Sequence, residues 1–144
     1  MKADAQTSKL TASFVTKIEV QKPEPTKLKV AAYVRVSSNS EDQENSFAAQ
    51  LSYYANMFKT HDDWELVDIY ADEGITGLKA EIRVDFQRML TDCRIGKIDR
   101  IITKSISRFS RNVTITLSTV RELKSMGVTV HFEKENIDTA SMSS

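Results

Sequence analysis

The sequence is short of the residues that break chains. Of 144 residues, four are glycine and two are proline. Both prolines, Pro23 and Pro25, fall in the charged segment QKPEPTK, so from Lys27 onward no proline interrupts a helix or strand. There is one cysteine, Cys93, which excludes an internal disulfide. With only two histidines, His61 and His131, the chain has no zinc-ligand spacing. Charge of one sign is not in excess: 20 basic residues balance 20 acidic ones. A nucleic-acid function must therefore rest on local clustering rather than overall basicity. No apolar run reaches the roughly 20 residues of a membrane span. The polar N-terminus lacks a secretory core, so the expected compartment is the cytoplasm and no membrane partner is expected.

What is present is ordinary for a globular domain, with 40% hydrophobic and 28% charged residues. Residues 1–27 read as a polar, flexible extension or linker. LKVAAYVRV (28–36) has the apolar, β-rich character of a strand buried on both faces. After the polar turn SSNSEDQEN, Phe47, Leu51, Tyr54 and Phe58 mark one helical stripe. WELVDIYA (64–71) predicts a second strand, and DEGITG a loop. Phe86, Met89, Leu90 and Cys93 predict a second helix stopped by Gly96. DRIITKS (99–105) is a third strand. Val113, Leu117, Val120 and Leu123 predict a third helix stopped by Gly127, and VTVHF (128–132) a fourth strand. This alternation predicts a three-layer α/β sandwich, a mainly parallel sheet with helices on both faces.

Ligands of such sheets bind at the carboxyl ends of strands. The residues there are Arg35, Ser37 and Ser38 after strand one, and Asp72, Glu73, Gly74 and Thr76 after strand two. After strand three come Lys104, Ser105, Ser107, Arg108 and Arg111. The segment ITKSISRFSRN (102–112) holds three cations and no carboxylate. Arg108 and Arg111, placed on the first turn of the third helix, would share a face beside the helix N-terminus, where anions are favoured. Arginine's planar fork matches phosphate oxygens. Alone, an Arg-x-x-Arg pair reads more often as a solvated helix start than as an anion site, and Ser37 more often as a cap or turn residue. Asp72–Glu73 alone fits a magnesium site of a phosphotransfer module. Such a module needs a carboxylate acceptor, however, and strand three ends in Lys104–Ser105.

The combination is more specific than its parts. YVRVSS (33–38) resembles the Tyr-x-Arg-Val-Ser signature of the serine site-specific recombinases, the resolvase/invertase family. SFAAQ (46–50) resembles that family's segment ending in glutamine. YADEGITG, then Arg83, then DFQRML resembles its Asp-x-Gly-x-(Ser/Thr)-Gly…Arg…Phe-x-x-(Met/Leu)-Leu stretch. KSISRFSRN resembles its Lys-x-x-Asp-Arg-x-x-Arg-(Asn/Asp) segment. The order holds across 28–138, and the insert SNSEDQEN resembles the large-recombinase and transposon-integrase branch.

The resemblance implies a resolvase-type catalytic domain over 28–138. Ser37 matches the nucleophile and Arg35 its phosphate ligand. Arg108 and Arg111 match the catalytic arginines, with Gln50, Arg83, Lys104, Ser107 and Asp72 in support. Ser107 stands where the best-known pattern has Asp, so no proton-handling role carries over to it. The implied reaction is attack by serine on a DNA phosphodiester, with a 5′-phosphoserine intermediate, strand exchange and religation. Implied partners are double-stranded DNA and further copies of the chain, as a dimer and a synaptic tetramer. No metal or other cofactor is expected. Residues 139–144 would begin the connection to a long helix and DNA-binding domains, and residues 1–144 alone would be inactive in recombination. The competing reading is a non-catalytic phosphate- or nucleotide-binding α/β module.

Overall fold

A computed structural model of the chain describes residues 26–37, 46–74 and 82–142. The expected extension up to residue 25, Ser38, the turn through Asn45, the loop containing Thr76, and the last two residues lie outside the described residues. Five strands form one sheet: β1 (Leu28–Ser37), β2 (Trp64–Gly74), β3 (Arg100–Thr103), β4 (Thr129–Phe132) and β5 (Ile137–Asp138). The helices are α1 (Phe47–Lys59), α2 (Val84–Arg94), the single-turn α3 (Ile106–Phe109) and α4 (Val113–Ser125). A 3-10 turn, Thr139–Ser141, follows β5.

The strand order is β2-β1-β3-β4-β5, parallel through β4, with β5 antiparallel at the edge. The chain steps from β1 to β2 on one side, then crosses back to β3 on the other. With right-handed crossovers, that reversal sends the first and later helices to opposite faces. The two cores follow this division. Val30, Ala32 and Val34 of β1, with Ile102, pack under Tyr54, Met57 and Phe58 of α1. Ala31 and Tyr33 of β1, with Ile101 and Val130, pack under Phe86, Met89, Leu90 and Cys93 of α2 and Leu123 of α4. Alternation along β1 thus feeds both layers, because successive strand side chains point to opposite faces.

The α2 stripe is buried as the sequence predicts, and Cys93 is core, with burial pushing its thiol pKa up to about 12. Gly96 (φ 81°) and Gly127 (φ 79°) end their helices in the left-handed region that glycine adopts without strain. Two stripes differ from expectation. On α1, Gln50 and Tyr54 are buried while Phe47 is exposed. On α4, Thr116, Thr119 and Leu123 face the core, whereas Val113 and Leu117 are exposed. The apolar spacing of α4 marked a face about one residue's rotation from the buried one, because two threonines supply the packing surface there. Thr116 bonds Ser110 C=O through its hydroxyl at 3.5 Å.

Candidate active site at the carboxyl ends of β1 and β3

The reversal in strand order puts the switch point between β1 and β3, the crevice where open α/β sheets bind ligands. Arg35 and Ser37 end β1, with their Cα atoms opposite Asp72 and Gly74 of β2. Arg35 is buried, and its stem runs beside Gly74, where an added Cβ would lie 3.5 Å from Arg35 Cδ.

Beyond β3 the chain caps twice within eight residues. Ser105 Oγ accepts the Arg108 N–H at 3.2 Å and starts α3. Asn112 Oδ1 accepts the Ile115 N–H at 3.1 Å and starts α4. The expectation of Arg108 and Arg111 on one helical turn is therefore corrected. Arg108 belongs to α3, and exposed Arg111 lies in the link, because the extended Ser110 (φ −163°) and the second cap separate the two helices. Arg108 turns back across the switch point, and its Nη1 donates to the Arg35 carbonyl at 2.6 Å. Lys104 and Ser107 are exposed, and Ser107 Oγ lies 3.1 Å from Ser105 Oγ.

Arg83 and Asp72 occupy the layer beneath. Arg83 donates through Nη2 to the Phe109 carbonyl and through Nε to the Tyr33 hydroxyl at 3.3 Å. Its guanidinium carbon lies 3.6 Å from the Phe86 ring centre. Asp72 is buried and accepts three bonds: from Tyr33 Oη at 2.7 Å and from the Asp85 and Phe86 N–H groups, each at 2.9 Å. A carboxylate aimed at the first N–H groups of α2 also meets the positive end of its dipole. Burial, then the Asp72 carboxylate, raises the Tyr33 pKa well above the ordinary phenol value, so Tyr33 stays a donor. Arg83 and Asp72 thus brace β1, β2 and α3 in their positions.

Gln50 is buried on α1, across the sheet from Arg83. It lines a cleft with Tyr53, Tyr54, Lys104, Glu133 and Lys134. Glu133 accepts the Tyr53 hydroxyl at 2.6 Å and the Tyr54 hydroxyl at 2.7 Å. Tyr54 also lies within electrostatic reach of Arg108. Tyr33, read as part of the YVRVSS segment, Tyr54, read as an apolar stripe residue, and Glu133 join the site beyond the candidate residues named from the sequence. Tyr33 was legible, because a Tyr-x-Arg spacing on a strand puts both side chains on one face. Glu133 directly follows β4, the one parallel strand whose carboxyl end was left out of the rim.

Comparison with known proteins agrees with this geometry. The family model "Resolvase, N terminal domain" matches residues 30–144. A resolvase family site-specific recombinase from Streptococcus pneumoniae is 33% identical, covering 81% of this chain and 79% of that one, with a TM-score of 0.66. The N-terminal catalytic domain of TP901-1 integrase is 32% identical, covering 78% of this chain and 82% of that one, with a TM-score of 0.59. The C-terminal catalytic domain of ISC1926 TnpA, an IS607-like serine recombinase, shares the fold at 20% identity and a TM-score of 0.59, covering 74% and 70% of the two chains. A search of curated proteins finds no match.

The fold and the rim define a resolvase-type catalytic domain. The chain belongs to the resolvase family, the serine recombinases, enzymes that cleave and rejoin DNA.

Proposed function

We propose that residues 28–138 are the catalytic domain of a recombinase that cleaves and rejoins DNA through Ser37. The hydroxyl oxygen of Ser37 attacks the scissile phosphorus, the bond to the 3′ oxygen breaks, and a 5′-phosphoserine forms. The serine proton ends, in net terms, on the released 3′ hydroxyl. The phosphoserine conserves the bond energy, so a new 3′ hydroxyl reverses the step on an exchanged strand.

The observation that carries this reading is the 2.6 Å bond from Arg108 to the Arg35 carbonyl. It draws the arginine after β3 to the strand end that bears Ser37, across the switch point. Arg35, Arg108 and Arg111 are the charge stabilisers in this reading. Negative charge on the equatorial phosphate oxygens grows toward the transition state, so fixed guanidinium groups favour it over the ground state. They also favour serine ionisation. Double-stranded DNA is the substrate, and further copies of the chain supply the second strand break. The exposed Val113 and Leu117, one turn apart on α4, give an apolar strip suited to such pairing.

The test is trapping of a covalent protein–DNA adduct on duplex carrying a recombination site. A recombinase carrying this domain together with its DNA-binding parts should form it, and its Ser37→Ala variant should not. An adduct that persists in Ser37→Ala and disappears in Ser38→Ala would move the nucleophile by one residue. Arg108→Ala should slow adduct formation by about 10²–10³-fold, as for removal of one transition-state donor.

A further inference from the structure

Beside the arginine rim is a cleft of about 530 Å3 that the reaction above leaves unused. Gln50, Tyr53 and Tyr54 of α1 line it on one side, and Lys104, Glu133 and Lys134 at the ends of β3 and β4 on the other. We propose that this cleft is a subsite for one unpaired nucleotide of single-stranded DNA, its base against Tyr53 and its phosphate at Lys104 and Lys134.

Its size falls in the range of roughly 300–1,000 Å3 of small-molecule sites. Tyr53 is 53% exposed, yet its ring is braced edge-on by Tyr54, with centroids 5.0 Å apart at 79°. Its hydroxyl is also tied to Glu133 at 2.6 Å. A ring held at both ends loses little freedom when a base stacks on it. Lys134 N–H donates to the Lys104 carbonyl at 2.7 Å, so the two exposed lysines stand on adjacent strand ends at the mouth. Glu133 is the one carboxylate among the described residues that line the cleft, and both its oxygens already accept phenolic hydroxyls, which disperses its charge. The bond to Glu133, then burial, pushes the Tyr53 pKa up to about 12, so Tyr53 stays a donor at neutral pH.

Stacking and cations together describe a nucleotide. A base inside a duplex has both faces covered, so only an unpaired one reaches Tyr53. The inference rests on the DNA-cleaving reading for its source of unpaired strand, which cleavage at the adjoining rim would expose.

The test titrates the 144-residue chain, by fluorescence anisotropy, with a labelled single strand of about 12 nucleotides lacking any recombination site. The same sequence as duplex and a deoxymononucleotide serve as competitors. The single strand should bind more tightly than either competitor. Tyr53→Ala should weaken it by about 5- to 100-fold, whereas Tyr53→Phe, which keeps the ring, should stay within about twofold of the parent. Lys134→Ala should lower the log–log salt slope by about 0.7, and Tyr53→Ala should leave that slope unchanged. Undetectable binding, equal affinity for duplex, or parent-like affinity in Tyr53→Ala would overturn the proposal. So would an unchanged salt slope in Lys134→Ala, and a mononucleotide matching the oligonucleotide would overturn the assignment to a DNA strand. Because the strand carries no site, this outcome is independent of adduct formation on site duplex.

Discussion

Asp72 carries more of the site's architecture than its place at a strand end suggests. Its two oxygens receive a phenol and two helix-start N–H groups, so one side chain joins β1, β2 and α2. Removing it strands buried donors, each of which costs about 1–3 kcal/mol when left unsatisfied. Asp72→Ala should therefore lower unfolding stability by about 2–4 kcal/mol, read from the shift of the urea midpoint at constant slope. An unchanged midpoint would mean that water takes over all three bonds. Arg83 behaves similarly. Its guanidinium faces an aromatic ring, a carbonyl and a phenol, an arrangement that braces the Phe109 turn from below. The resemblance implies supporting roles for both residues at the site, and residue type and order alone do not say which layer a side chain enters.

Elements are held in register by ion pairs at their ends. Arg100 of β3 reaches across β4 to Asp138 of β5, with Nη2 to Oδ2 at 2.5 Å, and also donates to Thr129 at 3.1 Å. Asp138 caps the following turn by accepting the Ala140 N–H at 2.9 Å. The Arg100 bonds hold the Asp138 carboxyl below the ordinary carboxylate range, against a smaller opposing effect of burial. A depressed folded value means stability present above about pH 4, the unfolded value, and lost as pH falls through the folded one. Asp138→Asn should accordingly be less stable than the parent at pH 7, and the gap in Tm should narrow between pH 4 and pH 2. A gap that stays constant on acidification would show that the pair contributes nothing through its charge. A helix whose threonines face the core and whose Val113 and Leu117 face outward cannot be oriented by apolar spacing alone.

For the whole molecule, two cores on opposite faces of one five-stranded sheet make opening of either layer a large event. Cys93 is a native reporter of it. Buried in the larger core and with a thiol pKa raised to about 12, it should resist a thiol reagent at pH 8. Native labelling should run about 10³-fold or more slower than in the urea-unfolded chain, following the population of the open form. Fast native labelling would place α2 outside the cooperative unit. No helix among the described residues is long and apolar enough to cross a membrane.

Local pattern specified the four parallel strands, the three longer helices and their order, because periodicity and glycine stops are local; it did not mark the short β5 or the single-turn α3. The four parallel strands, the α2 stripe and the stops at Gly96 and Gly127 were legible for that reason. So was the family resemblance, carried by short ordered segments. The tertiary structure alone decided which face each helix turns inward, and that Ser105 and Asn112 cap two separate helices. It also decided that Glu133 meets Tyr53 and Tyr54 from nearly 80 positions away. Bringing Arg108 to Arg35, 73 residues apart, depends on β3 crossing back to the free side of β1. That choice is made by packing helices on both faces of the sheet at once, and no local pattern contains it.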